Sequence, residues 1–282
     1  MDALDLVTNL RGHGWNWSLG MHTPHETRPT NRIAFAFCAL HSAVVHAFVC
    51  GIFHRAILSF AGVGSISERS TIIDETLSFF VRYLRASIIS VFTVIVSCTS
   101  LQMGYDLCTI LAVLFLGQDP AQWPPAFDAP WRATSLHEYW GRRWQQWFRR
   151  TFLFLAGYPF SIFFGRVGIV FGAFLASAVM HDIVLVNLDS RIEFGWMLVG
   201  FGMMAPGLLA ERAFRRLTGK KVDGVLGRVW TMVWLLLLYN VMTEGFARAG
   251  GLGHSSLIDS VLPVRVLVER LVTDFDVWLH AN

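Results

Sequence analysis

Residues 171–187 read FGAFLASAVMHDIVLVN, an apolar run with His181 and Asp182 set side by side near its end. An ionisable group in such a run is costly unless it is paired, neutralised or in use. A neutral imidazole can take a proton from a hydroxyl, which makes His181 a candidate general base. It can equally be a core histidine satisfied by a carbonyl, and the run alone leaves both readings open. Asp182 is rotated about 100° from His181 on a helix. A dyad within one helix is therefore not expected, and Asp182 should meet an arginine, a helix end or a wet cavity. Gly168, Gly172 and Ala176 recur every four residues, with Ala173, Ser177 and His181 on the neighbouring ridge. Small residues in register let another helix approach closely, so His181 should face protein rather than lipid.

A second chemically rich stretch is SLHEYWGRRWQQWFRR, residues 135–150. Thr134 or Ser135 can cap a helix beginning near Leu136. Continued as an α-helix, that segment would align Trp140, Trp144 and Trp147 at i, i+4 and i+7. Arg142, Arg143, Arg149 and Arg150 would accompany them. One reading is an in-plane interfacial helix, with Trp in the acyl boundary and Arg on phosphates.

These residues must be positioned by elements suited to a bilayer. The chain has 282 residues, 54% hydrophobic and only 15% charged, with mean hydropathy +0.48. Soluble domains carry about a quarter charged residues. The composition implies an all-α, polytopic integral membrane protein. The net charge of +3 is spread over the ends of apolar runs, as headgroup anchors would be, and forms no nucleic-acid face. Apolar runs at about 33–54, 86–116, 151–165, 167–187, 195–210 and 229–243 suggest about six membrane elements in one domain spanning 1–282. The 86–116 run is too long for an upright helix and is either tilted or broken near Gly104. Pro120, Pro124, Pro125 and Pro130 make the first half of the 117–150 connection extended or turned. The N-terminal stretch, with Trp15 and Trp17, reads as an interfacial helix rather than a signal peptide. The tail after about residue 256 should also lie along the interface. His41, His46 and His54 are not spaced as metal ligands, and Cys38, Cys50, Cys98 and Cys108 form no CxxC pair.

Taken together, WPPAF, SLHEYWGRRWQQWFRR and the downstream SAVMHD resemble the wax-synthase-like branch of the membrane-bound O-acyltransferases. LRGHGWNW near the N-terminus is similar to a stretch in fungal members, which include acetyltransferases of terpenoid and other secondary-metabolite alcohols. The resemblance covers at least residues 5–187, with a core at about 117–210. It implies acyl transfer from acyl-CoA, acetyl-CoA foremost, to a small hydrophobic alcohol in a bilayer cavity, without a metal. It implies residence in the endoplasmic reticulum. It assigns His181 the role of catalytic histidine. The family's second polar residue, usually Asn or His, falls at Gln145, which can bond but cannot act as a base. Gln145 or Trp144 would offer donors to the oxyanion. Arg142, Arg143, Arg149 and Arg150 would hold the CoA phosphates, with Trp140, Ser177 and Asp182 completing the binding residues. Family members usually carry further apolar segments before the RGxGWNW stretch. The alternatives are a non-catalytic lipid-binding or scaffold relative and a membrane terpene cyclase; the latter lacks a DDxxD-type acidic cluster.

Overall fold

Three long apolar runs free of internal proline form continuous helices. They are α1 (Arg32–Leu58), α2 (Phe79–Leu114) and, late in the chain, α8 (Gly224–Ala249). They belong to a computed structural model that describes residues 21–63, 70–187, 194–253 and 265–281. The expected N-terminal interfacial helix with Trp15 and Trp17 lies outside the described residues. Asn31 caps α1, its Oδ1 accepting from Ile33 and Ala34 amides at 3.0 and 3.1 Å. Helix α2 runs unbroken through Gly104 for 36 residues, about 54 Å. This decides against a break near Gly104.

The long connection after α2 starts with two short 3-10 turns, Pro120–Gln122 and Pro130–Arg132. Next come α3 (Leu136–Glu138), which passes into a π turn at Tyr139–Arg143, and α4 (Arg149–Phe152), with a second π turn at Leu153–Gly157. Helix α5 (Tyr158–Asn187) follows, and Gly165 interrupts it with φ 55° and ψ −138°. Only glycine takes that conformation without strain.

At Gly165 the chain folds back on itself. A side-chain carbon on Gly168 would collide with the Phe160 carbonyl, and one on Gly172 with the Ala156 carbonyl. The paired numbers, 160 with 168 and 156 with 172, sum to the same value, the signature of an antiparallel hairpin. In a straight helix residues 156 and 172 would lie about 24 Å apart. The small-residue seam thus packs on the preceding arm of its own hairpin.

The apolar run 195–210 is divided into α6 (Phe194–Gly202) and α7 (Met204–Thr218). Pro206 has no amide proton to offer Gly202, which ends the helical ladder there. Helix α9 (Arg265–Ala281) closes the described chain. Four stretches among the described residues are long and apolar enough to cross a membrane, 32–58, 79–114, 149–187 and 224–249. Large side chains such as Phe80, Ile162 and Phe163 stand exposed on them, as lipid-facing surfaces require.

The chain divides into two compact units. One comprises residues up to Ala43, Gly104–Ala176 and Ala205–Val233; the other comprises Val44–Met103, Ser177–Met204 and Trp234 onward. The second unit has a core of Ile57, Phe60, Ile72, Ala86, Ile89 and Leu252. Arg85 is fully buried in this unit. Its Nε donates to Asp276 Oδ1 at 2.6 Å and its Nη2 to the Ala61 carbonyl at 2.6 Å. This ties α9 to α2. Glu244 accepts from Thr71 Oγ1, the Ile72 amide and Arg248 Nε at 2.8, 2.9 and 2.5 Å. In the first unit, buried Asp106 accepts from Ser42 Oγ at 2.6 Å, and Tyr105 donates to the Pro124 carbonyl at 2.6 Å.

Candidate active site

The candidate residues fall into two sets, one in each unit. Ser177, His181 and Asp182 belong to the second. His181 is half-buried on α5, its ring 4.4 Å from that of Phe201 and 6.5 Å from that of Phe246. Its Nδ1 lies 2.7 Å from the Ser177 carbonyl oxygen. A carbonyl can only accept, so Nδ1 carries the proton of the neutral ring and Nε2 keeps its lone pair. The satisfied and the base-competent readings of this histidine are therefore compatible: one nitrogen is satisfied and the other holds the basic pair. Ser177 is itself buried. Asp182 is 5% exposed, and neither of its carboxylate oxygens has a hydrogen-bond partner among the described residues.

The other set surrounds α3. Ser135 caps that helix, its Oγ accepting from the Glu138 amide at 3.0 Å. The long helix expected from Leu136 to Arg150 does not form. After Tyr139–Arg143 the backbone becomes extended at Trp144 and resumes a helix only at Arg149. The three tryptophans therefore share no helical stripe. They pack instead in an aromatic cluster, with Trp140 and Trp144 rings 5.8 Å apart and Trp147 stacked on Tyr105 at 5.3 Å. Trp140 also meets Phe174 edge-on at 5.5 Å. Its Nε1 is a buried donor without a partner among the described residues.

The break is held by Gln146, which sequence reasoning missed. Its Nε2 donates to the Trp140 and Trp144 carbonyls at 3.0 and 2.7 Å. Gln145 turns back on its own loop, where its Oε1 accepts from the Trp147 amide at 2.8 Å. Arg143 is bonded to Glu138 at 2.7 Å and to the Asp128 carbonyl at 3.0 Å. Burial works to raise the Glu138 pKa. The Thr134 amide, then Arg143 and the Thr134 hydroxyl, outweigh it and hold the carboxyl below the usual range. Arg149 donates to the Gly141 carbonyl at 3.0 Å. Arg142 is exposed, and Arg150 is half-buried in the first turn of α4. Glu211 on α7, also missed, accepts from the Leu136 and His137 amides at 2.6 and 3.0 Å. Trp230 Nε1 donates to it at 3.1 Å. It neutralises the orphan donors at the start of α3.

The segment that carries both sets is the one matched by the membrane bound O-acyl transferase family, over residues 123–202. This match and the relatives that follow are consistent with the wax-synthase-like branch of that family. It is similar to the acetyltransferase spyB of Aspergillus fumigatus, 25% identical over 202 residues, covering 61% of this chain and 32% of the relative. The O-mevalon transferase yanI of Aspergillus niger is 26% identical over 169 residues, 56% of this chain and 36% of the relative. A probable long-chain-alcohol O-fatty-acyltransferase of Arabidopsis thaliana is 33% identical over 128 residues, 42% of this chain and 35% of the relative. The chain thus spans about a third of the length of these three relatives. No solved structure matches. The match and the four apolar stretches together support an integral membrane protein.

Proposed function

We propose that this protein is an acyl-CoA-dependent O-acyltransferase that esterifies a hydrophobic alcohol, with acetyl-CoA as donor and His181 as general base. The observation that carries the reading is the bond from His181 Nδ1 to the Ser177 carbonyl, which leaves Nε2 as a proton acceptor inside an apolar segment. In this reaction Nε2 removes the hydroxyl proton while the alcohol oxygen attacks the thioester carbonyl. The new C–O bond forms, the C–S bond breaks, and the departing sulfur of CoA takes the proton back from His181. A thiolate leaves readily, so no acyl-enzyme is needed. Trp140, with its unpaired indole N–H, and Trp144 and Gln145 are the donors assigned to substrate carbonyl oxygens. Arg142 and Arg150 are assigned to acyl-CoA binding. Arg143 and Arg149 already serve the 128–150 fold, and support that binding by shaping the loop. Ser177 and Asp182 complete the alcohol side.

The name acetyltransferase carried by spyB favours an acetyl donor, and the family resemblance favours a secondary-metabolite alcohol and the endoplasmic reticulum. The test is CoA release by microsomes carrying the chain, supplied with acetyl-, butyryl- or palmitoyl-CoA and a panel of terpenoid and fatty alcohols. Release that depends on an added alcohol and is fastest with acetyl-CoA is expected. Release that no alcohol stimulates, from folded protein, would contradict the reading.

A further inference from the structure

A cavity of about 310 Å³ lies in the first unit, between the turn of the α5 hairpin and α7. Three arginines, Arg166, Arg212 and Arg216, line it together with the apolar residues Val167, Leu209 and Leu217. No carboxylate lines it among the described residues. None of the three arginines has an ion-pair partner among the described residues, whereas Arg28, Arg55, Arg85, Arg143 and Arg248 all do.

Such an arrangement is unfavourable by itself. Arg212 and Arg216 are four residues apart on one face of α7, where like charges repel. Arg166 opens the second arm of the hairpin, at the end of a helix whose dipole also disfavours a cation. One anion in the cavity relieves both conflicts. The guanidinium fork matches phosphate oxygens. The hairpin tip beside the cavity bears exposed Ile162, Phe163 and Phe164, and Leu217 is 86% exposed on the other side. A ligand with a phosphate head and an apolar tail suits that setting.

We propose that this cavity is a phosphate-binding site. The phosphate has two possible sources of the same chemistry, the nucleotide end of acyl-CoA and the headgroup of an anionic phospholipid. Only the first rests on the acyltransferase reading.

Binding to the purified chain in neutral detergent, followed calorimetrically, tests the site without any turnover. The probes are CoA, 3′-dephospho-CoA, dioctanoyl phosphatidic acid and, as a phosphate-free control, dioctanoylglycerol. We expect a phosphate-bearing probe to bind and the R212Q/R216Q double variant to weaken it by about tenfold or more, the usual cost of losing charge-assisted bonds. R166Q should weaken the same probe, and R212K/R216K should retain part of the affinity. R215Q, on the same helix but outside the cavity, should leave it unchanged. Loss confined to CoA assigns the site to the nucleotide, and loss confined to phosphatidic acid assigns it to a lipid headgroup. Equal binding by wild type, R166Q and R212Q/R216Q for every probe would overturn the proposal, as would R215Q weakening binding as much as the cavity variants. Should R212Q/R216Q melt well below wild type, R166Q alone decides between these outcomes.

Discussion

His181 Nδ1 and the Ser177 carbonyl oxygen stand 2.7 Å apart, one turn from each other on α5. That contact sets the imidazole tautomer with backbone rather than with a side chain, so no substitution at position 177 removes the acceptor itself. The orientation of the ring depends further on Phe201, at 4.4 Å. The chemistry proposed for His181 thus rests on a helix and one packed aromatic ring.

Asp182 supplies the first prediction. It is buried, and both its oxygens lack partners among the described residues. A buried polar group left unpaired costs about 1–3 kcal/mol. Asp182→Leu is therefore expected to hold or raise the melting temperature in detergent while lowering acyl transfer. A large fall in melting temperature would instead give Asp182 a structural role.

The hairpin about Gly165 gives a sharper one. Gly172→Ala places a methyl against the Ala156 carbonyl, which is backbone and cannot step aside. Overpacking of this kind costs about 1–3 kcal/mol. Gly104→Ala in α2 meets nothing within 4 Å, and should be neutral or stabilising by up to about 1 kcal/mol. Thermal unfolding of the two variants side by side checks the contrast.

Glu211→Gln should loosen the basic-aromatic loop. An amide has one acceptor oxygen where the carboxylate has two, so the Leu136 or His137 amide, or the Trp230 indole, loses its partner. The expected cost is about 1–3 kcal/mol. It should show as faster proteolysis between residues 128 and 150, with Glu211→Asp intermediate.

Much of this was legible in the sequence, for identifiable reasons. The long apolar runs needed no partner to declare themselves helices, and the Gly168/Gly172 seam announced a close approach. The sequence could not say that the approaching arm was residues 156–160, because that depends on the reversal at Gly165. The Trp140, Trp144, Trp147 stripe was misread because periodicity assumes an unbroken helix. Here a π turn and the two carbonyl bonds of Gln146 stop it. Glu211 was invisible for another reason. It acts on amides more than 70 positions away, and nothing local in ERAFRR marks it as a cap. The tautomer of His181 likewise required the distance to Ser177.

The pair of His280 and Asp74, 2.9 Å apart, predicts a pH dependence. His280 is raised above its ordinary value, first by donating from Nδ1 to the Asp276 carbonyl and then by the Asp74 carboxylate. Burial acts to raise Asp74, but the Thr76 hydroxyl and amide, His280 and Arg85 outweigh it and hold it at about 2. A raised histidine stabilises fully below its unfolded value, about 6.5, and less as pH rises through its folded value. A depressed aspartate stabilises above its unfolded value, about 3.9, and loses this as pH falls toward its folded one. The pair should therefore contribute most between about pH 4 and 6.5. The melting-temperature difference between wild type and His280→Gln should shrink from pH 6 to pH 8.5. A difference independent of pH would contradict the pairing.

The central claim is that His181 is the base. The most direct measurement is alcohol-dependent CoA release by wild type, His181→Ala and His181→Gln at matched amounts of folded protein, with acyl-CoA binding measured alongside. General-base catalysis typically contributes about 10²–10⁴-fold, so both variants should fall by at least about a hundredfold with acyl-CoA affinity unchanged. Turnover within a few-fold of wild type in either variant would contradict the account.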